Sequence, residues 1–133
     1  MPGDAAPRFD LIVATVDRTD ALAGLLDSLT AQTHSAFRVV VVDQNTDDRV
    51  ADVLAARPEL DTLHLRSTRG LSRARNVGLA EISRELDAFR ADLVAFPDDD
   101  CRYGPHVLGW VAQRFADEAE LDGLSGRPAA ADG

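Results

Sequence analysis

The chain is 133 residues long with 45% apolar and 28% charged side chains, which suffices for one domain with its own core and argues against disorder along most of its length. Its net charge is −9 and all 14 basic residues are arginines, so a basic stripe able to neutralise phosphates is missing and general nucleic-acid binding is not expected. A single cysteine, Cys101, excludes an intrachain disulfide and a multi-cysteine zinc site, and no apolar run approaches the roughly 20 residues needed to cross a bilayer.

Residues 1–8 carry prolines and a glycine without periodicity and read as a flexible tail. Residues 9–15 (FDLIVAT) are an apolar run of strand length, suited to a parallel strand buried on both faces. Beyond Asp17-Arg18, the residues Leu22, Leu25, Leu26 and Leu29 recur at helical spacing and form one stripe, with Thr19 as the expected N-cap. Residues 37–43 (FRVVVVD) form a second buried strand, which also ends in a carboxylate. A turn rich in Asn, Asp and Thr follows, then a short helix over 49–57 stopped by Pro58. Residues 62–66 make a third, shorter strand near an edge. The next helix is expected to be capped by Ser72 and to turn Ala74, Val77 and Ile82 to the sheet. A fourth strand over 92–96 leads into Asp98-Asp99-Asp100. Pro105 then suits a first helical position, and Val107, Leu108, Val111 and Phe115 share one face of a helix reaching about residue 119, with Trp110 off the stripe.

Strands alternating with helices imply a parallel sheet covered on both faces, and such sheets bind ligands at the carboxyl ends of their strands. Thr15, Asp43 and the triplet at 98–100 all fall at such ends. Three adjacent carboxylates repel one another unless a cation, an arginine or backbone N–H groups neutralise them. Mg²⁺ and Mn²⁺ take oxygen ligands, and Mg²⁺ in particular is held by few carboxylates beside phosphate oxygens. The triplet therefore suggests a metal–diphosphate site, with a solvated acidic turn or a helix N-cap as the alternative. Cys101 is expected to be a small buried residue, because thiolates are soft ligands. His106 could reach a metal or simply occupy the first turn of its helix, and His34 and His64 read as a loop and a strand residue.

In this order and spacing, the features resemble glycosyltransferase family 2 of the GT-A fold, from about Phe9 to Arg127. The likeness is carried by the opening strand and Asp17-Arg18, by Ser28-Leu29-Thr30-Ala31-Gln32-Thr33, by Val39-Val40-Val41-Val42-Asp43, by Arg69-Gly70-Leu71-Ser72-Arg73-Ala74-Arg75-Asn76-Val77-Gly78 and by Phe96-Pro97-Asp98-Asp99-Asp100. It implies an α/β domain over residues 9–120 with a mostly parallel sheet and helices on both faces, a Rossmann-like nucleotide-diphospho-sugar transferase fold. Residues 121–133 would be the loop-like end of a truncated chain.

The resemblance also implies site residues. Thr15 and Asp17 would lie against the base and ribose of a nucleotide-sugar. Asp43 would accept the imide N–H of a uracil or thymine ring, a choice that rejects cytosine because its N3 carries no proton. Arg75 would lie near the nucleotide and Asp99 on the ribose, while Arg73 reads as a solvated residue. Asp98 and Asp100 would hold Mn²⁺ or Mg²⁺.

The implied reaction is inverting transfer of a sugar from a nucleoside-diphosphate donor, UDP or dTDP type, to an acceptor hydroxyl. Family members continue well beyond this length, so the general base is not assigned here. The isolated chain is expected to be incomplete for catalysis and to self-associate through Trp110, Leu121 and Leu124. A cytoplasmic location is expected, with the inner face of the membrane open to a longer form. The aromatic or asparagine usual near Val16-Asp17 is absent, which leaves the base without its stacking partner. Two other classes stand beside this reading: a non-catalytic nucleotide-sugar or metal-binding module, and a phospho-acceptor signalling domain, against which the missing lysine counts.

Overall fold

The computed structural model describes residues 7–84, 91–118 and 120–124; most of the expected tail and the chain end from residue 125 lie outside the described residues. Among the described residues four strands alternate with four helices: β1 (Phe9–Thr15), α1 (Thr19–Thr30), β2 (Phe37–Asp43), α2 (Arg49–Ala55), β3 (Thr62–Arg66), α3 (Leu71–Arg84), β4 (Leu93–Ala95) and α4 (Val107–Asp117). The sheet is parallel throughout, in the order β3-β2-β1-β4. The chain thus builds outward from β1 to β3 and then returns to the other side of β1.

The central residues 11–14 of β1 and 39–42 of β2 are all apolar because both faces are covered, and alternation sends successive side chains to opposite layers. Leu11, Val13, Val39 and Val41 pack with the α1 leucines, Val50 of α2 and Leu108 and Ala112 of α4. Ile12, Val40 and Val42 face the other way, against Ala74 and Val77 of α3. A Cβ at Gly78 would stand 2.7 Å from Ile12 Cγ2, so glycine is what lets α3 lie this close to the sheet. At the opposite end of β1, buried Arg38 forks onto Asp10 at 3.0 and 3.2 Å. The two residues are register partners, and a slip of one strand by one residue would put them on opposite faces of the sheet, so the ion pair pins the β1–β2 alignment.

Helix starts depart from expectation in three places. Thr19 is the first residue of α1 rather than its cap; Arg18 holds the cap position without a side-chain cap bond, because a guanidinium only donates and cannot accept from the first helical N–H groups. Ser72 lies inside α3, which opens at Leu71 after Gly70 at φ 137°, a conformation open to glycine. Pro105 precedes α4 in a turn, where its carbonyl accepts from the Thr33 backbone N–H at 2.9 Å. Trp110 is exposed, as its place off the apolar stripe implied. Among the described residues no helix is long and apolar enough to cross a membrane.

Candidate functional site

The strand order reverses at β1, with β2 on one side and β4 on the other, and at such a switch point the loops diverge and leave a crevice. Ala95 pairs with Leu11, and four residues further along both strands Asp99 meets Thr15. The Thr15 hydroxyl donates to Asp99 Oδ2 at 3.0 Å, and Arg18 Nη2 donates to Oδ1. The Asp99 side chain is only 4% exposed, so this middle carboxylate ties the acidic turn to the end of β1.

Its neighbours are open. Asp98 and Asp100 have 65% and 56% of their side chains exposed. Arg18 Nη1 reaches Asp100 Oδ2 at 3.3 Å, and Arg75 Nη2 stands 3.7 Å from Asp98 Oδ1 with its guanidinium carbon 5.4 Å from the centre of the Phe96 ring. Asp98, Asp100 and Cys101 present ligand atoms within 4.8 Å of one another. Desolvation, then the neighbouring aspartate charges, push the Cys101 thiol above its ordinary pKa, and a soft sulfur suits hard cations poorly. The two carboxylates fit a hard divalent cation of the Mg²⁺ or Mn²⁺ kind. His106 is turned to Thr33 Oγ1 at 3.3 Å and to the Trp110 ring, and is not part of this group.

Asp43, at the end of β2, is in the opposite condition. Its side chain is 0% exposed, and Oδ1 accepts from the Asn45 backbone N–H and side-chain amide, both at 2.8 Å. His64 Nε2 lies 2.9 Å from Oδ2 and Arg66 Nη1 lies 3.0 Å from the same oxygen. Burial pushes the carboxyl pKa up, but the Asn45 and His64 hydrogen bonds and the Arg66 charge together hold it below the ordinary value. A cavity of about 520 Å³ adjoins it, lined by residues 44–46 and 66–69.

Between these two carboxylate sites stands Asp17, the one non-glycine residue at positive φ (66°) among the described residues. Its N–H donates to Asn45 Oδ1 at 2.9 Å, and its carboxylate meets Arg69 at 3.2 Å and Arg49 at 3.6 Å. Gln44 bridges the strands and α3, bonding the Thr15 carbonyl through Nε2 at 3.3 Å and accepting the Gly70 N–H at 2.8 Å. Arg73 donates to Thr68 Oγ1 at 2.8 Å.

Thr15, Asp17, Asp43, Arg75 and Asp98 to Asp100 therefore lie at or beside the carboxyl ends of the strands, whereas His34 packs on Phe9 at the other end of β1 and His106 stands apart. Sequence reasoning missed Arg18 as the partner of Asp99 and Asp100, and His64 and Arg66 as the partners of Asp43. The second pair was visible in outline: residues 64 and 66 share one face of a strand, and Arg66 is the register partner of Asp43.

A parallel α/β sheet with an acidic turn at its switch point defines a domain of the GT-A class. The model of the family described as glycosyl transferase family 2 matches residues 10–128, and the chain belongs to that family. It is similar to the uncharacterized glycosyltransferase YwdF of Bacillus subtilis (strain 168), 29% identical over 110 residues, covering 81% of this chain and 38% of that protein. An uncharacterized glycosyltransferase of Haemophilus influenzae is 32% identical over 105 residues, covering 79% of this chain and 33% of the relative. Among solved structures, S. aureus TarS 1–349 in complex with UDP-GlcNAc superposes with a TM-score of 0.71 at 27% identity, over 92% of this chain and 37% of that one. The chain thus spans little more than a third of the length of these relatives.

Proposed function

We propose that this chain supplies the donor-binding part of a metal-dependent glycosyltransferase that moves a sugar from a nucleoside-diphosphate sugar to an acceptor hydroxyl. The observation that carries the proposal is the exposed Asp98–Asp100 pair at the switch point of a family 2 sheet, with an open cavity at the ends of β2 and β3. The structural neighbour TarS 1–349 in complex with UDP-GlcNAc supports the choice of ligand class.

In this reading Asp98 and Asp100 hold Mn²⁺ or Mg²⁺, which when bound neutralises charge developing on the departing diphosphate. Asp99 is held by Thr15 and Arg18, and so sets the direction in which the two outer carboxylates point. It serves as that support in place of a ribose contact. Arg75, at the start of α3, lies where a helix N-terminus already favours anions and faces the diphosphate from the far side of Asp98. Asp17 bounds the ribose end, and the cavity beside Asp43 takes the base, of the uracil or thymine type.

Calorimetric titration of UDP, dTDP, CDP and GDP, each with Mn²⁺ and with excess chelator, tests the proposal. UDP or dTDP is expected to bind measurably with Mn²⁺ and far more weakly without it, because the carboxylates repel a bare diphosphate. Equal affinity in chelator would overturn the metal-dependent reading.

A further inference from the structure

The three carboxylates of the acidic turn have cations of the chain's own beside them. Arg18 donates through Nη2 to Asp99 Oδ1 and through Nη1 to Asp100 Oδ2 at 3.3 Å, and Arg75 Nη2 stands 3.7 Å from Asp98 Oδ1. Two guanidinium charges against three carboxylates leave the turn with a single net negative charge. Arg18 is the closer of the two, whereas Arg75 lies beyond hydrogen-bond distance and over the Phe96 ring.

The two contacts of Arg18 differ in kind. Asp99 is buried and also accepts from the Thr15 hydroxyl, so this ion pair is sheltered from solvent and anchors the guanidinium. The contact with Asp100 joins two side chains that are each more than half exposed, and such a pair contributes little. A divalent ion on Asp98 and Asp100 therefore gives up little to reach Asp100, but it meets a positive charge that Asp99 keeps in place. Of the five N–H donors on the guanidinium, these bonds engage two, and no other acceptor meets it among the described residues.

We infer that Arg18 couples the binding of a divalent ion to that of a diphosphate. Its charge stands in for part of the metal's on Asp99 and Asp100, so a divalent ion alone is held weakly. A diphosphate brings negative charge to the ion and to the guanidinium at once and removes that penalty, and each ligand then tightens the other by the same factor. Arg18 is a positioning residue for Asp99 and the source of this coupling. The inference rests on the donor-binding function proposed above.

The test measures Mn²⁺ alone, and UDP at saturating Mn²⁺, by calorimetry at low ionic strength on the unmodified chain and on Arg18→Met. In the variant the affinity for Mn²⁺ alone is expected to rise about tenfold, the scale of one guanidinium charge near a divalent ion in a water-like medium, while that for UDP falls. A merely structural role would lower both. Arg18→Gln keeps an amide donor for Asp99 and should give the same two changes, so the test stands even where the Met variant does not fold. Arg18→Lys keeps the charge and should stay near the parent in both readouts.

An Mn²⁺ affinity that is unchanged or lower in the folded neutral variants overturns the inference, and so does Arg18→Lys behaving like them. Either result, with UDP and Mn²⁺ still binding to the unmodified chain, leaves the donor-binding function standing. Failure of the unmodified chain to bind any nucleoside diphosphate with Mn²⁺ would overturn that function, and the coupling with it.

Discussion

Asp43 and the pair Asp98 and Asp100 stand at the carboxyl end of the same sheet, on strands that flank β1 from either side, and they are in opposite physical states. Asp43 has lost its solvent and gained protein donors in return: three aligned hydrogen bonds and an arginine. Asp98 and Asp100 keep most of their solvent and have one arginine each at the edge of contact. A buried carboxylate with its partners in place belongs to the framework, and removing it leaves stranded donors; an exposed pair of like charges costs the framework something and is relieved by a cation. The same residue type therefore carries structure at one end of the crevice and, in the proposed function, ligand chemistry at the other.

The largest expected effect that would break this contrast is on stability. Asp43→Ala strands the Asn45 and His64 donors and the Arg66 charge, and should lower unfolding free energy by about 3–5 kcal/mol, the range for breaking a buried charged network. Asp98→Ala should stay within about 0.5 kcal/mol of the parent, as exposed substitutions do. Urea denaturation of both variants checks this, and equal losses would remove the distinction between the sites.

The next effect is on ligand binding and has the reverse order. Asp100→Ala should weaken UDP in the presence of Mn²⁺ by about tenfold or more, equivalent to roughly 1.4 kcal/mol, with an unfolding midpoint like that of the parent. The variant retaining full Mn²⁺ dependence in calorimetry would move the metal away from Asp100.

The smallest effect is on pH dependence. The folded Asp43 carboxyl has its pKa lowered from 3.8, so the stability that it contributes is whole above the unfolded value and is lost as pH falls through the folded one. The parent should lose stability with acid below about pH 4, and Asp43→Asn should flatten that part of the curve. Parallel acid profiles for the two chains would show that Asp43 does not titrate with folding.

Much of this was legible in the chain itself. The valine run of residues 39–42 and the leucines at helical spacing in α1 report burial directly, since a strand covered on both faces has no polar alternation and a surface helix has one apolar stripe. Both elements formed over the expected residues. Helix starts were less legible, because where a helix opens depends on the backbone of the preceding turn: Gly70 at φ 137° opens α3 at Leu71, ahead of Ser72, and the turn at Pro105 opens α4 at Val107.

Sequence by itself determined that Thr15, Asp43 and the aspartates at 98–100 would arrive at the carboxyl ends of three strands, because strand lengths and alternation with helices dictate that placement. It could not tell the three aspartates of the triplet apart, since they are the same residue in a row. Tertiary structure made the choice: the parallel register brings Thr15, 84 residues away in the chain, opposite Asp99 and leaves Asp98 and Asp100 facing out. Likewise Asp43 reads as an open acceptor until β3 pairs beside β2 and delivers His64 and Arg66 to it. The protonation and availability of a carboxylate depend on donors within a few ångströms, and those donors are brought there by strand pairing between distant parts of the chain.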